Sequence, residues 1–101
     1  MNHIIFEYHD VTASETLEAH AKKQLERVFT NYEFVNRADV FFKTENTSSD
    51  ETGKKCGIRL SAPGPRLFAE ASHDNFQESI NETVTELIKQ LKKRKEKMKT
   101  Y

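Results

Sequence analysis

The chain has one cysteine, two prolines, three glycines and no tryptophan in 101 residues, and each scarcity excludes something. A lone Cys56 cannot build an intrachain disulfide framework, so a reducing cytoplasmic setting is the expectation. The three glycines form no phosphate-cradling loop and no dinucleotide fingerprint. No run approaches the roughly 20 apolar residues of a membrane span. The opening MNHIIFEYHD lacks the basic start, apolar stretch and small-residue cleavage site of a signal peptide. His3, His9, His20 and His73 have no metal-ligand spacing and no cysteine pair to join. No Ser/His/Asp or Cys/His constellation can be argued, and no carboxylate pair falls in a cleft-forming segment. The expectation is a non-catalytic binding protein without metal or cofactor.

What is present is a single small domain over residues 1–101. Its 36% hydrophobic and 32% charged content suits a folded globule, without the apolar depletion that keeps a chain disordered. The formal net charge is zero, yet its sign is segregated. The clearest case is the last stretch, Asp74 to Tyr101. Phe76, Ile80, Val84, Leu87, Ile88 and Leu91 recur at three- and four-residue steps, predicting a helix with one face toward a core. Beyond Leu91 only Met98 continues the stripe, and Arg94 and Lys95 fall on its extension, where a core cannot accept them. Asp74, Glu78, Glu82 and Glu86 lead this segment; Lys89, Lys92, Lys93, Arg94, Lys95, Lys97 and Lys99 follow, with Glu96 the one acid among them. Complementing the helix dipole needs only two or three bases. Seven create like-charge pairs four apart, Lys89/Lys93, Lys93/Lys97 and Lys95/Lys99, at about 0.2–0.5 kcal/mol each. Such a basic end at about 89–99 points to a polyanion. The repulsion also predicts that the turns beyond Leu91 fray in the free protein.

The rest of the chain supplies the frame. Residues 3–8, HIIFEY, read as a strand with Ile4, Phe6 and Tyr8 on one side. Thr12-Ala13-Ser14-Glu15 has the capping-box pattern and predicts a helix from about Ala13 to Thr30. Its buried stripe is Leu17, Ala21, Leu25, Val28 and Phe29, closed by Tyr32, and its outer face carries Lys22, Lys23 and Arg27. Residues 37–45 form a second strand with Ala38, Val40 and Phe42 inward. The polar stretch Asn46 to Gly53 is a loop. A third strand, Lys54 to Ala62, sets Cys56, Ile58, Leu60 and Ala62 against outward Lys55, Arg59 and Ser61, which makes Cys56 a core residue and not a nucleophile. Pro63-Gly64-Pro65 turns the chain into a fourth strand over 66–72, and Asp74 or Asn75 caps the last helix.

The fold class is α+β, with order β-α-β-β-β-α: a four-stranded sheet, its last three strands an antiparallel meander, with both helices packed on one face. Ile5, Phe41 and Phe68 then lie on the opposite face. Scattered apolar residues are normal on a surface, and aromatics on a sheet can also stack bases.

This element order, the PGPRLFAEA turn and strand, the Asp74-Asn75-Phe76 helix start and above all LIKQLKKRKEKM resemble the ribosome hibernation-promoting factors. That group includes protein Y, the ribosome-associated translation inhibitor and the sigma factor modulation proteins. The likeness covers nearly the whole chain. It implies a cytoplasmic protein of slow growth or stress that occupies the mRNA channel and tRNA sites of the small ribosomal subunit, blocks translation and protects idle ribosomes. It implies no catalysis, no DNA and no membrane, and a monomer when free. By this resemblance Lys89, Lys92, Lys93, Arg94, Lys95 and Lys97 contact ribosomal RNA phosphates. On the first helix the family often sets a base before each of two apolar positions. Arg27 before Val28 keeps that pattern and Gln24 before Leu25 departs from it, with Lys22 and Lys23 as substitutes. Lys55 and Arg59 complete the candidate RNA-binding set. The family's long members add a domain through which ribosomes pair; a chain ending at Tyr101 looks like a short form that does not bridge ribosomes by itself.

Recognition of this kind works through phosphates and the shape of a folded RNA, with little base readout. Neutralising about six phosphates predicts a slope of log K on log salt of roughly −4 to −5. Two other readings compete. One is a double-strand-binding type of RNA module, although such modules usually begin with a helix. The other is a protein-interaction domain whose basic helix meets an acidic partner.

Overall fold

Burial alternates along the short strands, so that one sheet forms whose two faces differ in chemistry. The computed structural model describes residues 3–45 and 53–98 and gives β1 (His3–His9), α1 (Glu15–Asn31), β2 (Arg37–Thr44), β3 (Lys54–Ser61), β4 (Leu67–His73) and α2 (Phe76–Met98). The expected loop over 46–52, together with Lys99 and the side chain of Met98, lies outside the described residues. Strands are ordered β1-β2-β3-β4. The meander β2-β3-β4 is antiparallel throughout, whereas β1 pairs with β2 in parallel, His3 beside Arg37 through His9 beside Lys43. A parallel neighbour requires a long crossover, and α1 is that crossover.

The inward residues are those the alternation selected. Ala38, Val40, Phe42, Cys56, Ile58 and Leu60 are each at most 1% exposed. Leu17, Ala21, Leu25 and Val28 of α1 and Ile80, Val84, Leu87 and Leu91 of α2 cover them. Tyr32 closes the α1 end of this core, while Phe29 and the β1 residues Ile4, Phe6 and Tyr8 are only half-buried. Being at the sheet edge, β1 seals its side with rings: Phe6 and Tyr8 lie 6.3 and 5.4 Å from Phe42, centre to centre.

The start of α1 differs from the expectation. The N-cap is Ser14, not Thr12: the Ser14 hydroxyl accepts the Leu17 amide at 3.2 Å, and helix runs from Glu15. Tyr8 explains the shift, because its hydroxyl donates to the Glu18 carboxylate at 2.7 Å and sits 3.4 Å from the Ser14 backbone. That grip holds Ser14 extended and leaves Thr12 outside. At the other end helix continues to Asn31, one residue further than expected, where the Tyr32 amide still reaches Val28 O at 2.9 Å.

For α2 the cap is Asn75, whose side chain accepts the Glu78 amide at 2.8 Å. Two fully buried polar residues were not part of the apolar stripe. Ser79 donates to Lys54 O (2.5 Å), and Thr83 lies within hydrogen-bond range of Cys56 O (3.1 Å) and Ser79 O (2.7 Å). Short hydroxyl side chains let α2 lie close over β3 while both buried hydroxyls stay partnered.

Candidate nucleic-acid interface

Helix continues past Leu91 to Met98 without a break. The reason lies in two bases. Arg94 Nη1 and Nη2 donate to Pro63 O and Pro65 O at 2.9 and 2.8 Å, gripping the β3–β4 turn from both sides of Gly64. Gly64 has φ of 94°, and a side chain there would press on the Arg94 guanidinium. On the other flank, Lys95 Nζ lies 5.5 Å from the centre of the Tyr32 ring and makes a long 3.5 Å contact with Asn31 O. Arg94 and Lys95 do continue the apolar stripe, and instead of entering a core they bend back and tie the helix to its neighbours. Gln90 adds a third tie, donating to Phe68 O at 3.0 Å.

With those two turned inward, the outer surface of the last turns is left to Lys89, Lys92, Lys93 and Lys97, all exposed. At 3.6 residues per turn Lys89 and Lys93 project away from the Leu91 side. Lys89 pairs with Glu86 at 3.2 Å, an exposed contact that a phosphate can replace. Lys92 and Lys93 have no partner among the described residues.

The two helices run side by side in the same direction. His20 Nε2 meets Asn81 Oδ1 at 2.8 Å near their starts, and Lys95 reaches Asn31 near their ends. On α1, Lys23 and Arg27 are exposed and one turn apart, on the solvent side flanking α2. The structure therefore brings Lys23 and Arg27 to the same side of the molecule as the basic end of α2. Lys22 is turned away toward the β1 edge, with Nζ 5.9 Å from the Phe6 ring centre.

Lys55 and Arg59 are not part of this surface. They project from the other face of the sheet, the one without helices. Lys55 is held there by Glu45 at 2.6 Å and Glu70 at 3.5 Å. The hydrogen bond that Lys55 donates to Glu45 holds the lysine amine above its ordinary pKa, and the same bond holds the Glu45 carboxyl below its own. A lysine committed to two carboxylates is a weak phosphate ligand. Arg59 has no partner among the described residues. It shares its face with Arg37 and Arg66, two bases the sequence did not single out; Arg66, expected to open the fourth strand, lies in the turn before β4.

Cys56 is fully buried, and burial pushes its thiol up to about 12, so it is not a nucleophile. No helix among the described residues is long and apolar enough to cross a membrane.

Comparison with known proteins agrees with this architecture. The profile of a family described as sigma 54 modulation protein / S30EA ribosomal protein matches residues 4–99. No curated protein sequence matches. Among solved structures, a ribosomal subunit interface protein from Coxiella burnetii superposes with a TM-score of 0.78 at 22% identity, over 92% of this chain and 97% of that one. The N-terminal domain of Protein Y from Thermus thermophilus superposes with a TM-score of 0.69 at 18% identity, over 92% and 98%. These likenesses show a shared fold.

Proposed function

The chain belongs to the sigma 54 modulation protein / S30EA ribosomal protein family, and from that premise we propose that it is a ribosome-associated inhibitor of translation. In this reading it docks on the small ribosomal subunit, in the mRNA channel and tRNA sites, through phosphates of ribosomal RNA. It blocks translation and protects idle ribosomes during stress or stationary phase. It acts in the cytoplasm by occupancy, without catalysis, cofactor or DNA, and is a monomer when free.

The observation that carries the proposal is the exposed base cluster of two parallel helices. Lys89, Lys92 and Lys93 on α2 and Lys23 and Arg27 on α1 share one side of the molecule. A rigid helix presents these cations at fixed spacing, which suits the fixed phosphates of a folded RNA better than a flexible acidic peptide. Arg94 and Lys95 belong to the site in a different capacity: they hold the basic end in place, and their charges add to its field.

The test is sedimentation through sucrose gradients with purified ribosomes at low and high salt. The wild type is expected to migrate with the small subunit at low salt and to be released at high salt. A Lys89→Ala/Lys92→Ala/Lys93→Ala variant is expected to stay at the top of the gradient. Equal co-sedimentation of variant and wild type would overturn the helix clamp, and ribonuclease-resistant binding would point to a protein partner instead.

A further inference from the structure

The face of the sheet opposite the helices has an organisation of its own. Phe41 and Phe68 lie stacked, with ring centres 6.2 Å apart and planes within 14°. Phe68 remains 41% exposed, a high value for so large an apolar side chain. The stack is made possible by Gly57, the β3 partner of Phe41: a Cβ at that position would overlap the Phe41 ring. With no side chain beneath it, Phe41 lies across the strand toward Phe68. His9 packs edge-on against Phe41 at 6.1 Å and braces the pair from the β1 side.

Charge on this face sorts into spent and unspent groups. Arg37 is bound to Asp39 through Nε and Nη2 at 3.1 and 2.9 Å, which neutralises that carboxylate. Lys55 is taken by Glu45 and Glu70. Arg59 and Arg66 have no partner among the described residues, and with Phe41 and Phe68 they line one depression of about 290 Å³. Arg59 is the direct cross-strand neighbour of Phe68, which places their Cβ atoms about 4.5–5.5 Å apart. An exposed ring face beside two uncommitted guanidiniums matches the chemistry of a nucleotide: a base to stack and phosphates to bind.

The geometry points to a second nucleic-acid site here, in which Phe68 stacks one base of a single-stranded RNA segment while Arg59 and Arg66 hold the flanking phosphates. It is separate from the helix surface and uses none of its residues. The gradient experiment can therefore fail while this site stands, and the reverse.

The test titrates 15N-labelled protein with a six-nucleotide oligouridylate and follows amide shifts, with fluorescence anisotropy of the labelled oligonucleotide giving affinity. Saturable shifts are expected at the outward positions of β2, β3 and the turn into β4, around Phe41, Arg59, Arg66 and Phe68. Phe68→Ser is expected to weaken binding about tenfold, the order expected of one base stacked on one ring. Arg59→Gln with Arg66→Gln is expected to flatten the salt dependence by about 1.4 in slope, the value for two single-strand phosphates. Lys92→Ala with Lys93→Ala is expected to keep the sheet-face shifts. The proposal is overturned if wild-type shifts are confined to residues 89–97, or if Phe68→Ser binds as well as the wild type. It is equally overturned if a hexaglutamate peptide moves the same amides as far at the same concentration, which would make the face a protein-binding one.

Discussion

Arg94 and Lys93 are neighbours in a run of bases, yet their environments assign them opposite tasks, and replacing each with alanine should separate them. Arg94 makes two charge-assisted hydrogen bonds to Pro63 O and Pro65 O, at 2.9 and 2.8 Å. Bonds to charged groups are worth about 1.5–3 kcal/mol when buried; Arg94 is half-exposed, so about 1–2 kcal/mol for the pair is the reasonable figure. In a domain of this size that lowers Tm by about 5–12 °C. Lys93 has no hydrogen-bond or ion-pair partner among the described residues, and its removal relieves repulsion from Lys89 and Lys97, so Lys93→Ala should leave stability within about 0.5 kcal/mol. Binding should respond the other way. Lys93→Ala should reduce the salt slope of RNA binding by about 0.7–0.9, one phosphate's worth, while Arg94→Ala, measured well below its Tm, should leave the slope near the wild-type value. Arg94→Lys sharpens the contrast: it keeps the charge, but a single ammonium cannot span the two carbonyls, so most of the stability loss should remain. Calorimetric melting and anisotropy titrations at four salt concentrations supply both readouts. An Arg94→Ala protein that melts like the wild type and loses as much slope as Lys93→Ala would refute the reasoning.

Two further outcomes follow from the interior and the open sheet face. Gly57→Ala should change stability by less than about 1 kcal/mol, since the strand gains from losing a glycine what it loses from the displaced aromatic pair; the displacement itself should appear as altered ring-current shifts of Phe41 and Phe68, and unchanged shifts would contradict the packing. The Cys56 thiol, raised by burial from 9.0 to about 12, binds its proton more tightly folded than unfolded. Its contribution is therefore complete below about pH 9 and lost as pH climbs toward 12. Cys56→Ala should flatten the decline of denaturant stability across that window, and an identical decline in the variant would rule the thiol out as its source.

Much of this architecture is written in periodicity. Alternation in β2 and β3 identified Ala38, Val40, Phe42, Cys56, Ile58 and Leu60 as inward, and the stripe from Phe76 to Leu91 identified the buried side of α2, because burial on a single face leaves a regular trace in hydropathy. What escaped has no such trace. Ser79 and Thr83 are buried for their small size and for the carbonyls they reach, a reason visible only once α2 is laid over β3. Ser14 outcompetes Thr12 as cap through Tyr8, a residue on another element. The candidate site divided for the same reason. All its bases are alike in the sequence, but Arg94 meets a turn 31 residues away, Lys55 meets Glu45 and Glu70, and Lys92 and Lys93 have no partner among the described residues. The resemblance to a known family named the partner without sorting these roles.

The molecule measures 48 × 27 × 18 Å between Cα extremes, so it is a thin plate. Lysines of the helix layer stand on one broad side, and Arg59, Arg66 and the stacked phenylalanines stand on the other. If both sides bind as proposed, such a plate is held best in a slot, where both walls can be touched at once. In such a slot each wall supplies only part of the grip, yet the plate cannot turn or slide without breaking both parts together. Its escape would then depend on the walls drawing apart, and its presence would oppose their relative motion, much as a shim stiffens the joint it fills.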